Sequence, residues 1–133
     1  MRKNHAKAKL RAGECVYGTS VEYCLDPEIS LLLKKAGLDL FFIDTEHQTA
    51  SYADIRAICR TARDFEIAPL VRVTQGEPAL ITRALDCGTM GIVVPRVHSP
   101  EEARRRGVRF LLYSGDFSVL FDAYKQRLLE IKQ

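Results

Sequence analysis

Apolar runs alternate along the chain with segments whose apolar residues recur at helical spacing, and this alternation predicts a series of strands and helices. The runs that fit buried strands are 14–21, 38–43, 68–73, 90–95 and 108–113. Single predicted helices separate them, which is typical of βαβ units and a parallel sheet. The pattern therefore predicts an α/β protein with about five parallel strands.

Local signals bound the predicted helices. A short N-terminal helix covers 2–12, a second begins at Asp26-Pro27-Glu28 and stops at Gly37, and Ser51–Asp54 caps a third that carries Ile55, Ile58 and Cys59 on one face. The next helix begins at Glu77-Pro78, ends at Gly88 and is predicted to turn its apolar side chains inward, namely Leu80, Ile81 and Leu85. A two-turn helix follows Pro100 and ends at the Arg104–Arg106 run, which is predicted to be solvated.

A long amphipathic helix is predicted after Asp116, which is interpreted as its cap. The apolar residues near one of its faces are Val119, Leu120, Tyr124, Leu128 and Ile131. A closed (β/α)₈ barrel needs eight strands and about 250 residues. The length of 133 residues is typical of a single domain. A chain of this length cannot close such a barrel alone.

Composition narrows the class of protein. The chain is 47% hydrophobic and 28% charged, and its net charge of +3 is too small to indicate nucleic-acid binding. We expect no membrane segment and no secretory signal, because no apolar run has the required length. Cys15, Cys24, Cys59 and Cys87 form no Cys-x-x-Cys pair, so we expect free thiols and a cytoplasmic location.

The most informative segment is 38–47, where an apolar strand ends in Asp44, Glu46 and His47. Ligands bind at the carboxyl ends of strands in parallel α/β sheets. Ionisable groups there are costly unless they are solvated, paired or used. This strand end is the first candidate for an active site.

Four motifs in this order and spacing resemble one family: 42–47 (FIDTEH), 69–72 (PLVR), 85–88 (LDCG) and 92–95 (IVVP). They are similar to the metal-dependent, pyruvate-specific class II aldolases of the 4-hydroxy-2-oxoheptanedioate aldolase type, which include the citrate lyase β-subunit. The resemblance implies a partial (β/α)₈ TIM-type barrel. Residues 1–104 resemble its first half and 107–133 its last strand and helix, with the central units missing, so 1–133 is expected to form one shortened domain.

The resemblance also implies an activity: cleavage of a 4-hydroxy-2-oxo acid to pyruvate and an aldehyde through a metal-bound enolate. His47 matches the catalytic base, and imidazole titrates near neutral pH. Arg72 matches the arginine that binds the keto acid and stabilises the enolate oxygen. Asp86 matches the acid that pairs with the histidine. Asp44 and Glu46 match acids around the metal-bound waters.

The expected cofactor is Mg²⁺ or Mn²⁺, but the family's direct metal ligands come from later strands and have no counterpart here. Asp44 and Glu46 are therefore only weak candidates for holding a hydrated metal ion. Asp86 is predicted at a helix end on the face opposite His47, so their pairing would need a neighbouring subunit. The alternative for Asp86 is a surface ion pair with Arg83.

Arg72 also allows a purely structural interpretation. An arginine within an apolar strand requires an anionic partner, and it could pair with Asp44 or Glu46 as a bridge between neighbouring strands. The sequence does not decide between this bridge and the role in substrate binding.

Two functions follow from these patterns. The first is an aldolase, expected to be a homo-oligomer that acts on a small 2-oxo acid. The second is a catalytically inactive relative that retains the assembly surfaces. Neither function uses His5 and His98, which are expected on the surface, or Pro95, which marks a strand end or an edge.

Overall fold

A computed structural model describes residues 4–95 and 110–132. Helices and strands alternate through most of the first range, and a strand and a long helix make up the second. In chain order the elements are α1 (His5–Arg11), β1 (Val16–Val21), α2 (Ile29–Lys35), β2 (Leu40–Asp44), α3 (Tyr52–Asp64), β3 (Ala68–Arg72), α4 (Pro78–Asp86), β4 (Gly91–Val93), β5 (Phe110–Gly115) and α5 (Asp116–Ile131). The predicted alternation of strands and helices is confirmed for these residues.

The strands form one parallel sheet in the order β4-β3-β2-β1-β5. Consecutive strands are neighbours from β1 to β4, as right-handed βαβ crossovers produce. β5 lies on the other side of β1, which is the relation that the last strand of a closed barrel has to the first. β4 is an edge strand that ends before Pro95, as the proline predicts.

Alternation along the strands separates two faces of the sheet. Val21, Ile43 and Val71 pack against α3 through Ile55 and Ile58, in the larger apolar core. The opposite face carries the smaller cluster, formed by the buried side chains Ala6, Val16, Leu40 and Ala68. Asp44 and Arg72 are four residues beyond Leu40 and Ala68, so they continue this second face to the carboxyl edge of the sheet.

The helix caps explain why α3 forms where the sequence predicts it. The Ser51 hydroxyl accepts a hydrogen bond from the Asp54 N–H at 3.2 Å, and the Asp54 carboxylate accepts one from the Ser51 N–H at 3.0 Å. This is a complete capping box. α2 begins later than predicted, at Ile29, because Asp26 forms a turn by accepting a hydrogen bond from the Glu28 N–H.

The predicted inward position of Leu85 is wrong. Its side chain is 50% exposed, whereas Ala84 and Cys87 are buried on either side of it. α4 packs through Leu80, Ala84 and Cys87, at positions i, i+4 and i+7. Leu85 falls outside that stripe.

The long helix α5 also differs from an ordinary packed helix, because none of its residues is buried. Its large apolar side chains are all exposed: Phe117, Val119, Leu120, Phe121, Tyr124, Leu128, Leu129 and Ile131. The predicted helix is confirmed, and the part of the chain that the structure describes buries none of its apolar side chains.

Several predictions lie outside the described residues: the helix after Pro100, the Arg104–Arg106 run and His98. His5 is exposed as expected and lies 3.7 Å from Glu66, measured from Nε2 to Oε1. Cys15, Cys24, Cys59 and Cys87 are free thiols. In the two described ranges no helix is long and apolar enough to cross a membrane.

Candidate active site

The carboxyl edge of the sheet holds an ion pair between neighbouring strands. Asp44 ends β2 and Arg72 ends β3, and the two residues are directly opposite in the parallel register. Arg72 donates from Nε to Asp44 Oδ1 at 2.9 Å and from Nη2 to Oδ2. Such a two-point contact fixes the guanidinium in position as well as in charge. The anionic partner that Arg72 requires on this face is Asp44.

The Asp44 carboxylate also shapes the loop that follows β2. It is 1% exposed, and its Oδ1 accepts hydrogen bonds from the N–H groups of Glu46 at 2.8 Å and His47 at 3.3 Å. Burial alone would raise the pKa of Asp44, but the hydrogen bonds from Arg72 and the Glu46 N–H outweigh it and lower that pKa. The group is therefore a fixed anion near neutral pH.

Further contacts hold Arg72 and the loop together. Thr45 donates to the Arg72 carbonyl from its backbone N–H at 3.1 Å and from its hydroxyl at 2.6 Å. The guanidinium carbon lies 5.4 Å from the centre of the Phe42 ring, within cation–π range. The hydrogen bond to Asp44 also raises the pKa of Arg72, which keeps its charge. Loop and guanidinium form one rigid unit.

Glu46 and His47 lie at the open side of this unit. Glu46 Oε2 is 3.6 Å from Arg72 Nε and 3.7 Å from His47 Nε2, so it lies between the cation and the imidazole. The His47 side chain is 64% exposed, whereas that of Glu46 is 10% exposed. The structure thus brings four sequence-predicted residues together: Asp44, Glu46, His47 and Arg72.

Asp86 is not part of this group. It is the last residue of α4 and is exposed, directly before the turn that leads into β4. That position is at the amino edge of the sheet, whereas His47 follows the carboxyl end of β2. In the described residues no ion pair joins Asp86 to Arg83, whose guanidinium lies 5.8 Å from the centre of the Tyr52 ring.

Two acids at this edge were missed by sequence reasoning. Glu22 directly follows β1 and accepts a hydrogen bond from the Ser20 hydroxyl at 2.8 Å. Asp116, interpreted as a helix cap, accepts a hydrogen bond at Oδ1 from the Phe117 N–H of the first turn at 2.8 Å, and its Oδ2 also accepts hydrogen bonds from three consecutive backbone N–H groups after β1. The rule that singled out Asp44, an acid following a buried strand, would have found Glu22. The anchoring role of Asp116 depends on contacts between residues at least 92 positions apart in the sequence, and no local pattern shows such contacts.

The described residues do not provide an obvious cage for a metal ion. Within ranges 4–95 and 110–132, no group of three or more His, Cys, Asp or Glu side chains is arranged to hold one. Asp44 already engages both carboxylate oxygens with Arg72, and Glu46 lies against the same guanidinium. The expected roles of Asp44 and Glu46 near a metal therefore lack a matching geometry within these residues.

Known proteins similar to this chain include several aldolases. It is 37% identical over 102 residues to a 4-hydroxy-4-methyl-2-oxoglutarate aldolase from Chaetomium globosum, covering 76% of this chain and 38% of that protein. It is 35% identical over 113 residues to a hydroxypyruvate/pyruvate aldolase from Roseovarius nubinhibens, covering 85% and 43%. The chain thus spans about two-fifths of the length of the curated relatives it matches. No family model matches the chain.

A solved structure supports the same relation. The crystal structure of an HpcH/HpaI aldolase from Desulfitobacterium hafniense DCB-2 superposes with a TM-score of 0.67 at 36% identity, covering 74% of this chain and 38% of that one. The five-stranded parallel sheet with its helices is therefore an α/β fold that corresponds to part of the TIM-type barrel of that aldolase. The chain belongs to the HpcH/HpaI-type pyruvate aldolase family.

Proposed function

We propose that this protein is a carbon–carbon lyase that cleaves a 4-hydroxy-2-oxo acid to pyruvate and an aldehyde. The observation that carries the proposal is the arrangement at the carboxyl edge. Asp44 holds Arg72 by two hydrogen bonds, and the same carboxylate holds the backbone of His47. An anion-binding group and a candidate base are thereby placed in one rigid unit, beside an open surface.

Arg72 would bind the oxo acid and stabilise the enolate that cleavage produces. Its contacts with Asp44 and Glu46 engage Nε and Nη2, and its side chain is 24% exposed. We propose that Nη1 contacts the substrate oxygen. Because Asp44 fixes the guanidinium before substrate arrives, little reorganisation is needed as negative charge develops. A preorganised donor of this kind contributes about 3 kcal/mol of transition-state stabilisation.

His47 would take the proton from the 4-hydroxyl group as the C3–C4 bond breaks. Its imidazole is accessible from solvent. A catalytic base needs this access, because it must contact the substrate directly or through a water. Glu46, 3.7 Å from Nε2, would stabilise the imidazolium that forms. Glu46 is therefore better placed for this role than Asp86 of the same chain, which lies at the opposite edge of the sheet.

A divalent metal, Mg²⁺ or Mn²⁺, belongs to the proposal only as an expectation from the family. Such an ion would polarise the 2-oxo group when bound. The described residues do not offer its ligands, so no step above passes through it. Ligands would have to come from another part of the polypeptide or from a second chain.

We also propose that the active form is a homo-oligomer. The chain exposes a helix, α5, whose Leu120, Phe121 and Tyr124 are all more than half exposed. An apolar surface of this kind marks an interaction site more often than free solvent contact. A second copy of the chain would cover this surface. Asp86 of that second copy could then also reach His47 of the first.

Free thiols are consistent with the cytoplasmic location that we propose.

The alternative is a catalytically inactive relative that keeps the assembly surfaces. The pairing of both Asp44 carboxylate oxygens with Arg72 favours this alternative, because the same contacts would serve as a structural bridge between β2 and β3. It predicts self-association through α5 without turnover.

Turnover of a 4-hydroxy-2-oxo acid with added Mg²⁺ or Mn²⁺, measured as pyruvate release, separates the two. We expect Arg72→Ala and His47→Ala to lower kcat/KM at least about 100-fold. The controls Arg56→Ala and His5→Ala, at exposed positions, should leave kcat/KM unchanged. Absence of turnover and of metal binding at saturating metal would establish the inactive alternative.

A further inference from the structure

At one edge of the sheet, four neighbouring strands either end in a charged residue or are directly followed by one. Asp44 pairs with Arg72 in the register of β2 and β3. Val21 pairs with Ile43, so the next position places Glu22 opposite Asp44. Asp116 follows β5, whose last residue, Gly115, pairs with Ser20. The order across the edge is therefore Asp116, Glu22, Asp44 and Arg72.

The carboxylate of Asp116 anchors the loop that carries Glu22. Its Oδ2 accepts hydrogen bonds from the backbone N–H groups of Glu22 at 3.1 Å, Tyr23 at 3.0 Å and Cys24 at 2.9 Å. Successive N–H groups that converge in this way form an anion-binding nest, and here a side chain of the same protein occupies it. The rings of Tyr23 and Phe117 pack 5.1 Å apart beside it.

Glu22 is in turn fixed at its side chain. The Ser20 hydroxyl, on a residue that is only 7% exposed, donates to Glu22 Oε1 at 2.8 Å. The negative charge of Glu22 also contributes to raising the pKa of Arg72, after the larger effects of Asp44 and Glu46. Backbone and carboxylate of Glu22 are thus both held on the side of the sheet edge that carries Arg72.

We propose that Glu22 is a charge-balancing residue of the active site and that Asp116 is the positioning residue that holds it beside Asp44, on the edge of the sheet that carries Arg72. The effect of Glu22 on catalysis rests on the proposed function. The negative charge of Glu22 opposes the approach of an anionic oxo acid to Arg72 and so weakens substrate and product binding. A site that binds its anionic product less tightly releases it faster, so we place the role of Glu22 in product release and not in stabilisation of the enolate.

The direction of the effect separates this role from simple damage. Glu22→Gln removes the opposing charge, so pyruvate should bind about threefold more tightly, the size of a partly exposed charge interaction. Asp116→Asn frees the loop and should act in the same direction. The double variant should bind pyruvate no more tightly than Glu22→Gln, because both changes remove one effect. A loss of structure would instead weaken binding.

A readout without ligand tests the geometry by itself. In ¹H–¹⁵N spectra of the full chain, the Arg72 Nε–H resonance should shift in Glu22→Gln and in Asp116→Asn. Amide exchange at Glu22, Tyr23 and Cys24 should accelerate at least about tenfold in Asp116→Asn, as expected when charge-assisted hydrogen bonds weaken. The control Asp122→Asn, an exposed acid on the same helix, should change neither measurement.

The outcomes separate the two claims. Unchanged exchange and an unmoved Arg72 resonance would overturn the positioning role of Asp116. Pyruvate binding that is unchanged or weaker in Glu22→Gln would overturn the charge-balancing role of Glu22. Shifted resonances in a protein that binds no pyruvate would keep the positioning role and refute the proposed function.

Discussion

Asp44 and Arg72 face each other across two parallel strands, and the Asp44 carboxylate meets both Nε and Nη2 of the guanidinium. The same carboxylate holds the backbone of Glu46 and His47. One buried anion therefore positions both the anion-binding group and the base of the proposed site. The sequence allowed either a structural bridge or a catalytic arrangement, and this geometry is compatible with both at once.

The first prediction concerns stability. Asp44→Asn removes the carboxylate that pairs with both Nε and Nη2 of the partly buried Arg72 guanidinium and leaves only the longer contact with Glu46. Breaking a buried ion pair from one side costs about 3 kcal/mol. Urea unfolding followed by circular dichroism should show that loss. The exposed Asp122→Asn serves as the control and should stay within about 0.5 kcal/mol of the parent protein.

The second prediction concerns the stability of the folded protein at low pH. Because the pKa of Asp44 is lowered in the folded protein, the unfolded chain binds its proton first as pH falls. The stabilisation is present above the unfolded pKa, about 3.9, and is lost as pH falls through the folded value. Urea midpoints measured from pH 7 to pH 2.5 should fall more steeply for the parent protein than for Asp44→Asn. Parallel curves would contradict this assignment.

Local signals in the sequence predicted most of the elements. Gly37 and Gly88 end their helices at positive φ, and Ser51 with Asp54 forms the capping box. Strand–helix alternation predicted the parallel sheet because it reflects short-range geometry. The position of Leu85 was not predicted, since the burial of Ala84 and Cys87 decides the orientation of a helix as short as α4.

The site was predictable only in part. Asp44, Glu46, His47 and Arg72 follow or end strands, so the rule for parallel sheets placed them at one edge. The sequence could not choose between Asp44 and Glu46 as the partner of Arg72, because register and side-chain reach decide it. The anchoring by Asp116 arises from the adjacency of β5 and β1, a property of tertiary structure.

The third prediction compares two glycines. Gly37 and Gly88 both adopt positive φ, at 88° and 95°, where an alanine costs about 1 to 2 kcal/mol. A Cβ at Gly37 would meet nothing within 4 Å, whereas one at Gly88 would lie 2.7 Å from Arg63 Nη2. Gly88→Ala should therefore destabilise the protein more than Gly37→Ala in chemical unfolding. Equal losses would show that Arg63 moves aside freely.

The fourth prediction concerns the thiols. Cys15 is exposed, whereas Cys59 and Cys87 are buried, and burial raises the pKa of Cys59 to about 12. A thiol-specific reagent at pH 8 should modify Cys15 rapidly and the two buried thiols only after unfolding. Mass spectrometry of the labelled peptides gives the order, and Cys15→Ala is the control. Rapid labelling of Cys59 in the folded protein would contradict the core packing.

The most direct test of the central claim is exchange of the pyruvate methyl protons for deuterium, followed by ¹H NMR in D₂O with Mg²⁺ present. This reaction reports enolate formation without knowledge of the aldehyde. We expect exchange above the rate without protein, its loss in Arg72→Ala, and no change in Arg56→Ala, at an exposed position on α3. Exchange no faster than without protein, or equal in Arg72→Ala and the parent protein, would contradict the account.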